Sequence, residues 1–468
     1  MAKRIAVIGG GTAGLSAAYS LQKVRAAGVP VDYVLYESGQ HFGGVIRTER
    51  VDDCIVEAGP DSFLTEKPWA ADLCRELGMG DQLIASNDAD RKTYMLVRGR
   101  LVPIPDGLMF MVPTKLAPAF LSPMFSWSTK LRIIREWLSP PPAKTSEMTV
   151  AEFVQRHYGR EMVDRVAGPL LGGVYGGSAD QLSIDAVLPR FVQMEAKYGS
   201  LGRAMVAARK NMPADSRRPL FTSLKSGMQQ MTDALSARLP QAVLRPSTSV
   251  QAVKPESGKW LVISGGRTEE FDGVIIATPA HVAAELLAAK QDELAGELAG
   301  IPYSTSMTVV LSYDQSVRAA LPPGFGFLVP QPEERNILAA TFVHNKFSHR
   351  APDDRALLRC FLAGSVAEQM FAMSDAEIAA TVQQELRSIL GVQAQPLFTR
   401  IYRWRKAMAQ YVLGHSARVT RIRSLVNQMP GLALAGNAYD GIGVPDCVRT
   451  GTEAAQAVVA ALGLQAAP

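Results

Sequence analysis

The chain has 468 residues, 47% hydrophobic and 20% charged, the composition of an ordinary globular protein. Single cores stop growing at roughly 250–300 residues, so two or three domains are expected. Lys and Arg number 49 against 44 Asp and Glu; the resulting charge of +5 is too weak and too dispersed to point to nucleic acid. Cys54, Cys74, Cys360 and Cys447 form no CxxC pair and no cluster with zinc spacing, so they read as reduced thiols of a cytosolic protein with no metal site. The apolar run after Lys3 and Arg4 ends at Gly9, too early for a signal region, and no uncharged stretch reaches the length of about 18 residues that a spanning helix needs.

In chain order, Lys3–Ile8 reads as a buried strand, 12–24 as a helix with small residues on one side, and Val31–Tyr36 as a second buried strand after a Gly-Val-Pro turn. Together they make a βαβ unit with parallel strands. A helix over 72–77 is stopped by Gly78. From about Asp90 to Arg217 the composition shifts to helical stretches at 130–138, 150–158 and 160–171, with three prolines at 140–142, and this region reads as a helical insertion. Within it, 116–128 is apolar but short and broken by Pro118 and Pro123, which fits a buried segment or one that rests on a membrane surface.

A strand and glycine turn lead into a helix over 219–231, and strands follow at 250–253, 259–264 and 274–277. The runs 308–312, 325–329, 338–342 and 357–362 suggest an antiparallel sheet of a substrate-side domain. A short strand at 432–434, a glycine-rich loop and a small-residue helix from Gly451 to Leu462 close the chain.

Three glycine-rich motifs carry the chemistry. Gly9, Gly11 and Gly14 fill GxGxxG across Gly9-Gly10-Gly11-Thr12-Ala13-Gly14, after a strand and opening a helix, the context that a dinucleotide fingerprint requires. Gly9 makes the tight turn, Gly11 lets backbone approach a pyrophosphate, and Gly14 lets helix pack on strand. Free N–H groups at the helix start favour the anion. Glu37 ends the second strand, where a carboxylate accepts ribose hydroxyls. Next come the paired Gly43-Gly44, then Arg47, which serves a phosphate or is a solvated strand charge, then Gly59-Pro60-Asp61-Ser62. Near the C-terminus, Gly436-Asn437 and Asp440-Gly441-Ile442-Gly443-Val444-Pro445 lie between a strand and a helix and offer N–H groups to an anion or a ring.

Read together, VIGGGTAGLSAAYSL, Glu37, FGGVIRTE, EAGPDSFLTEK and AGNAYDGIGVPDCVRTG resemble the protoporphyrinogen/coproporphyrinogen oxidase family of haem synthesis, within the amine-oxidase-like flavoproteins. GPLLGGVYGGSADQLSI (168–184), SLKSGMQQMTDAL (223–235), IIATPA (275–280) and YRWRKAMAQYVLGH (402–415) extend the resemblance, in order, over nearly the whole chain. It is strongest to the soluble bacterial coproporphyrinogen-type oxidases. One departure is Val45, where the family often has Lys or Arg after the paired glycines.

The resemblance implies an α/β architecture: a Rossmann-type FAD-binding domain (1–90, 218–290 and 415–468), a helical domain on the substrate or membrane side (91–217) and a mixed-sheet substrate-binding domain (291–414). It implies FAD contacts at Gly9, Gly10, Gly11, Thr12, Ala13, Gly14, Glu37, Ser38, Gly44, Gly59, Pro60, Asp61, Ser62, Val250, Trp404, Ile442, Gly443 and Val444. It places Gly176, Leu328, Thr341 and Phe361 around a substrate cavity, and makes Lys67, Arg91, Lys92 and Arg98 candidate partners for propionates. A porphyrinogen loses six electrons on becoming a porphyrin, so a two-electron flavin turns over three times, with oxygen or another acceptor reoxidising it.

The sequence shows no conventional acid–base pair, and its six histidines are scattered. Coproporphyrinogen, with four propionates, is preferred over protoporphyrinogen, with two, on the number of nearby cations. The rivals are another amine-oxidase-like enzyme, disfavoured by GVYGGSADQLS and DGIGVPDC, and a non-catalytic binding protein like the Rab escort and GDI proteins, disfavoured by the intact glycine fingerprint and Glu37. A cytoplasmic protein, in contact with a membrane surface or free of one, is expected; its oligomeric state is not legible.

Overall fold

The computed structural model describes residues 2–142, 146–210, 219–288 and 291–464, without the side chains of Asp90 and Arg209. The domain boundary expected at 217/218 falls on residues outside this set, and the one at 290/291 falls at its edge.

The apolar strand Lys3–Ile8 pairs in parallel with Val31–Tyr36 on one side and Gly273–Ile276 on the other, and Leu244–Arg245 and Leu432–Leu434 form the edges. Numbered in chain order the five strands lie 3-2-1-4-5, so the winding reverses between Lys3–Ile8 and Gly273–Ile276. A crevice opens at the C-terminal ends of such a pair. Helix Thr12–Ala26 leaves the first strand at that crevice and packs against the last helix, Val444–Ala461. The last helix starts seven residues before the expected Gly451, because Gly443 caps it and Pro445 sits in its first turn, where a missing N–H costs nothing. Beside this sheet, Val250–Glu256, Lys259–Ser264 and Arg267–Phe271 form an antiparallel meander; the charged third strand lacks the apolar run by which the other two are recognised.

A seven-stranded sheet forms the second layer, in the order Phe398–Ala409, Tyr303–Asp314, Arg355–Ala363, Ala339–Phe342, Gly326–Leu328, Thr93–Val97, Arg100–Pro103. The sheet is mixed, as expected of the substrate-binding domain, and two details are corrected: the run 325–329, read as one strand of an antiparallel set, lies parallel to Thr93–Val97. Residues 93–103, counted with the helical region by sequence, form its last two strands. One face, with Met307, Val309, Leu311, Leu358, Cys360 and Leu362, packs under helix Asp375–Leu390 through the fully buried Ile378, Val382 and Leu386. Each such side chain contributes roughly 1.5–3 kcal/mol. The opposite face packs on the antiparallel hairpin Thr48–Val51/Cys54–Glu57, where Val310 and Leu357 meet Cys54 and Val56.

The helical region centres on Val150–Tyr158, opened by a reciprocal capping box between Thr149 and Glu152. The helix expected over 160–171 runs on to Tyr175 and widens to a π-turn over Val163–Ala167. Pro169 follows at once; it has no N–H for the carbonyl four residues back, and the wider turn accommodates this. The run 116–128 is not a buried segment. It forms helix Leu116–Leu121 and the start of helix Trp127–Glu136, with Leu121 81% and Trp127 68% exposed. Among the described residues no helix is long and apolar enough to cross a membrane.

Buried His157 lies between two buried carboxylates, with Nε2 2.8 Å from Glu195 and Nδ1 3.4 Å from Glu136. Arg156 also pairs with Glu195, and Glu136 accepts the hydroxyl of Ser200. Burial alone would push the imidazole down, but Glu136 and Glu195 overcome it and hold its pKa above the ordinary value. A raised folded-state pKa gives stability that is complete below about pH 6.5 and is lost as pH rises through the raised value. His157→Ala is therefore expected to cost about 3 kcal/mol at pH 6, with the gap to wild type narrowing toward pH 9. Thermal unfolding of both proteins across that range checks this; parallel profiles would contradict it.

Candidate cofactor and substrate site

The glycines of the first motif do different jobs. A Cβ on Gly14 would lie 1.8 Å from the Gly9 carbonyl oxygen, and one on Gly10 2.5 Å from the Phe42 ring, whereas one on Gly11 would meet nothing within 4 Å. Gly14 and Gly10 are demanded by the fold, and Gly11 faces open space at the N-terminus of helix Thr12–Ala26. Gly9 has φ of +103°, which only glycine adopts readily. Glu37 stands beside this turn: one carboxylate oxygen accepts the Gly10 N–H at 2.7 Å, the other the Gly39 N–H at 2.6 Å and the Ser38 hydroxyl at 3.3 Å. A carboxylate has about four acceptor positions, two on each oxygen, so the oxygen bonded to the Gly10 N–H keeps capacity for one hydroxyl. The backbone of 245–248 binds that of Glu37 and Gly39 and carries Val250 to the same side. Gly44, at φ +61°, packs against Gly11, with its added Cβ 3.2 Å from the Gly11 Cα. Val45 is 40% exposed, and Arg47 is exposed and paired with Glu49 at 3.2 Å.

The second helix N-terminus comes from the far end of the chain. A Cβ on Gly451 would lie 2.1 Å from the Ala13 carbonyl oxygen, so the last helix crosses the start of the first in backbone contact. Its own N-terminus, at Ile442-Gly443-Val444, then points into the same crevice, and no acid but Asp446 stands in its first turn. Asp446 is buried, accepts the Gly443 N–H at 3.1 Å and takes the Lys67 ammonium on both oxygens at 2.9 and 2.6 Å. Tyr411 holds the loop before this helix, donating to the Asn437 carbonyl and accepting from the Gly441 N–H.

Between these halves runs Glu57–Ser62. The Ala58 carbonyl accepts the Trp404 indole N–H at 2.9 Å, the Gly59 carbonyl accepts the Arg359 guanidinium, and the Ser223 hydroxyl donates to the Asp61 carbonyl. The carboxylate of Asp61 is taken by Lys346 at 3.0 and 3.1 Å, and the same ammonium reaches the Ser62 hydroxyl. Burial would raise the Asp61 carboxyl, but Lys346 and Arg359 prevail and hold it below the usual carboxylate range. Its backbone rather than its carboxylate is what it has left to offer a ligand.

The seven-stranded sheet supplies the wall. Directly opposed residues of paired strands share a face. Ala339 opposes both Leu328 and Phe361, Thr341 opposes Arg359, Thr308 opposes both Phe361 and Tyr402, and Ser306 opposes Trp404. Leu328, Thr341, Phe361 and Trp404 therefore stand on one face, all half-buried, on the side turned to the cofactor motifs. Gly176, in the left-handed conformation at φ +61°, closes the end of that face; a Cβ there would lie 2.8 Å from the Ser304 hydroxyl and 2.9 Å from the Met408 sulfur.

The four expected cations do not converge. Lys67 is paired with Asp446. Arg91 and Lys92 are exposed before strand Thr93–Val97, and Arg98 is exposed after it, its backbone N–H on Glu333. Sequence reasoning also missed Arg350, Arg359 and Lys346. Arg359 was visible, as one charge inside the apolar run of strand Arg355–Ala363; the other two sit in short helical turns that carry no such contrast.

The open space at Gly11 and the paired helix N-termini fit the pyrophosphate and ring of a flavin dinucleotide, and comparison with known proteins agrees. The description of flavin-containing amine oxidoreductases matches residues 12–459. The chain is 31% identical to the coproporphyrinogen III oxidase of Bacillus subtilis over 97% of both chains, and 33% identical to that of Propionibacterium freudenreichii over 97% of this chain and 90% of the relative. It is 27% identical to the chloroplastic/mitochondrial protoporphyrinogen oxidase 2 of Arabidopsis thaliana over 98% of this chain and 94% of the relative. A crystal structure from Exiguobacterium sp., described as a candidate protoporphyrinogen oxidase, superposes with a TM-score of 0.87 at 29% identity, covering 98% of this chain and 99% of that one. A reduced UDP-galactopyranose mutase, with a TM-score of 0.73 at 17% identity over 98% of this chain and 96% of that one, shares the fold alone. Agreement that runs from the first helix to the last leaves one conclusion about ancestry: the chain belongs to the flavin-containing amine oxidoreductase family.

Proposed function

We propose that this flavoenzyme oxidises a porphyrinogen to a porphyrin in haem biosynthesis, with coproporphyrinogen III preferred and oxygen or another acceptor taking up the electrons. The observation that carries the reading is the placement of Leu328, Thr341 and Phe361 on the same sheet face as Trp404, whose indole is bonded to the cofactor segment at Ala58. FAD, when bound, takes two electrons at a time, so a six-electron oxidation needs three turns. The chain holds the pyrophosphate at Gly11 and the helix N-termini and the ribose at Glu37, and it presents a flat, largely apolar wall that keeps water from the macrocycle. Asp61, beside this face, is kept ionised by Lys346 and is not free to take a proton. Buried His344 is pushed down to about 4 by burial and turns to the Leu357 backbone, so it too stays out of proton traffic. The work of these residues is thus positioning and exclusion of water.

The preference for coproporphyrinogen now rests on the relatives that carry that name rather than on Lys67, Arg91, Lys92 and Arg98, which do not form one anion site. Turnover on both porphyrinogens is the test. We expect kcat/KM to favour coproporphyrinogen III by about tenfold or more, roughly 1.4 kcal/mol; equal or reversed values would overturn the preference, and no turnover of either would overturn the function.

We further infer a cytoplasmic protein that rests on a membrane. Trp127, Leu131, Ile134 and Leu138 follow at spacings of four, three and four, and all are exposed, from 41% to 78%. That is an apolar stripe on the solvent side of a helix whose other side buries Thr129 and Ile133. Lys130 lies over the rings of Phe120 and Trp127, and Arg132 and Arg135 are exposed beside the stripe. This pattern suits an interfacial helix on anionic lipid. Wild type should co-sediment with vesicles containing acidic phospholipid, and Trp127→Ser with Leu131→Ser should weaken this by about tenfold. Binding that is absent, or indifferent to both changes, would contradict the reading.

A further inference from the structure

Three buried cations, the buried Glu57 and the partly exposed Asp61 stand together behind the cofactor segment. Arg350, 1% exposed, donates to Glu57 at 2.8 Å and to the Ser223 hydroxyl at 2.6 Å. Lys346 grips Asp61, and its ammonium lies 4.5 Å from the centre of the Phe221 ring. Arg359 donates to the Gly59 carbonyl, stands 3.6 Å from Asp61 and stacks on Phe361 at 4.7 Å. Glu57 and Asp61 are the carboxylates that face them. Glu57 is held by Arg350, the Thr48 hydroxyl and the Met228 N–H.

The surrounding titratable groups do not cancel the difference. His344 is neutral, and burial raises the Tyr402 hydroxyl so that it keeps its proton. Glu49 is engaged with Arg47 and Arg400, and Lys225 and His349 are exposed to water. Three positive charges against two negative leave an excess of one in a region largely shielded from solvent. An uncompensated buried charge is costly, and the Nε of Arg359 is itself buried without a hydrogen-bond partner.

Arg359 lies on the sheet face that carries Thr341 and Phe361 and is bonded to Gly59. A flavin that gains two electrons and one proton from its substrate acquires one net negative charge, equal in size and opposite in sign to the excess. We propose that the positive charge of Arg359, held against Gly59 and outnumbering its carboxylates, stabilises the reduced flavin and so sets the potential at which the enzyme draws electrons from its substrate. Arg359 acts on the cofactor across the Gly59–Ser62 backbone and is a positioning residue rather than a catalytic one. The proposal rests on the reading that this segment borders the flavin.

The test is the midpoint potential of the purified holoprotein, titrated against reference dyes. Arg359→Gln keeps a donor for the Gly59 carbonyl and removes the charge; Arg359→Lys keeps the charge. Arg359→Gln should lower the ratio of reduced to oxidised flavin at a fixed potential by tenfold or more, a shift of about 30 mV to more negative values for a two-electron couple. Arg359→Lys should stay close to wild type. Lys346→Gln removes a charge from the other side of Asp61 and must shift the potential in the same direction, which keeps the proposal testable if Arg359→Gln fails to fold. Holoproteins with wild-type potentials in the neutral variants, or an Arg359→Lys that falls as far as Arg359→Gln, would overturn the proposal. A wild-type protein without bound flavin would instead overturn the functional reading beneath it.

Discussion

The site depends on how closely the first and last helices approach each other. Gly14 lets helix Thr12–Ala26 sit on the Gly9 turn, and Gly451 lets helix Val444–Ala461 lie on the Ala13 backbone, each at a distance that a single methyl group would forbid. Two helix N-termini from opposite ends of the sequence are thereby fixed in one crevice. Each carries about half a positive charge and unpaired N–H groups. The crevice lies where the strand order of the parallel sheet reverses, so its position follows from topology and its depth from the missing side chains.

The second dependence is ionic. The proposed substrate wall belongs to a different sheet from the glycine-rich crevice, and much of what joins them is polar: Trp404 to Ala58, Arg359 to Gly59, Lys346 to Asp61 and Arg350 to Glu57. Buried ion pairs contribute little net stability, because desolvation offsets much of their attraction, but breaking one partner is expensive. Such contacts fix geometry better than they add stability, and here they hold one short segment in register with both sheets. Asp446 does the same at the other edge of the crevice, joining the Gly443 cap to Lys67.

Much of the cofactor half was legible in the sequence, because its signals are local. The strand Lys3–Ile8, the GxGxxG turn and the strand Val31–Tyr36 have the expected boundaries, since an apolar run stops where a glycine must begin. That Leu328, Thr341 and Phe361 share one sheet face was foreseen only through family resemblance, because they come from three strands whose register no local pattern encodes. The start of the last helix was placed seven residues late because Gly441, Gly443 and Pro445 look like loop, although Pro445 and the carboxylate of Asp446 open the helix. For the 116–128 run only the buried alternative failed, for another reason. Apolar residues alone do not say whether protein or some other surface covers them, and only the spacing from Trp127 to Leu138 reveals a stripe that the fold leaves bare.

The central claim is that this crevice holds a flavin dinucleotide with its pyrophosphate over Gly11. It is tested most directly by comparing the flavin content and thermal unfolding of Gly11→Val with those of wild type after purification under the same conditions. Because an added Cβ at Gly11 meets no protein atom within 4 Å, the variant should fold, unfold within a few degrees of the apo wild type and show no flavin absorption. A Gly11→Val protein that remains yellow with full flavin occupancy would contradict the account.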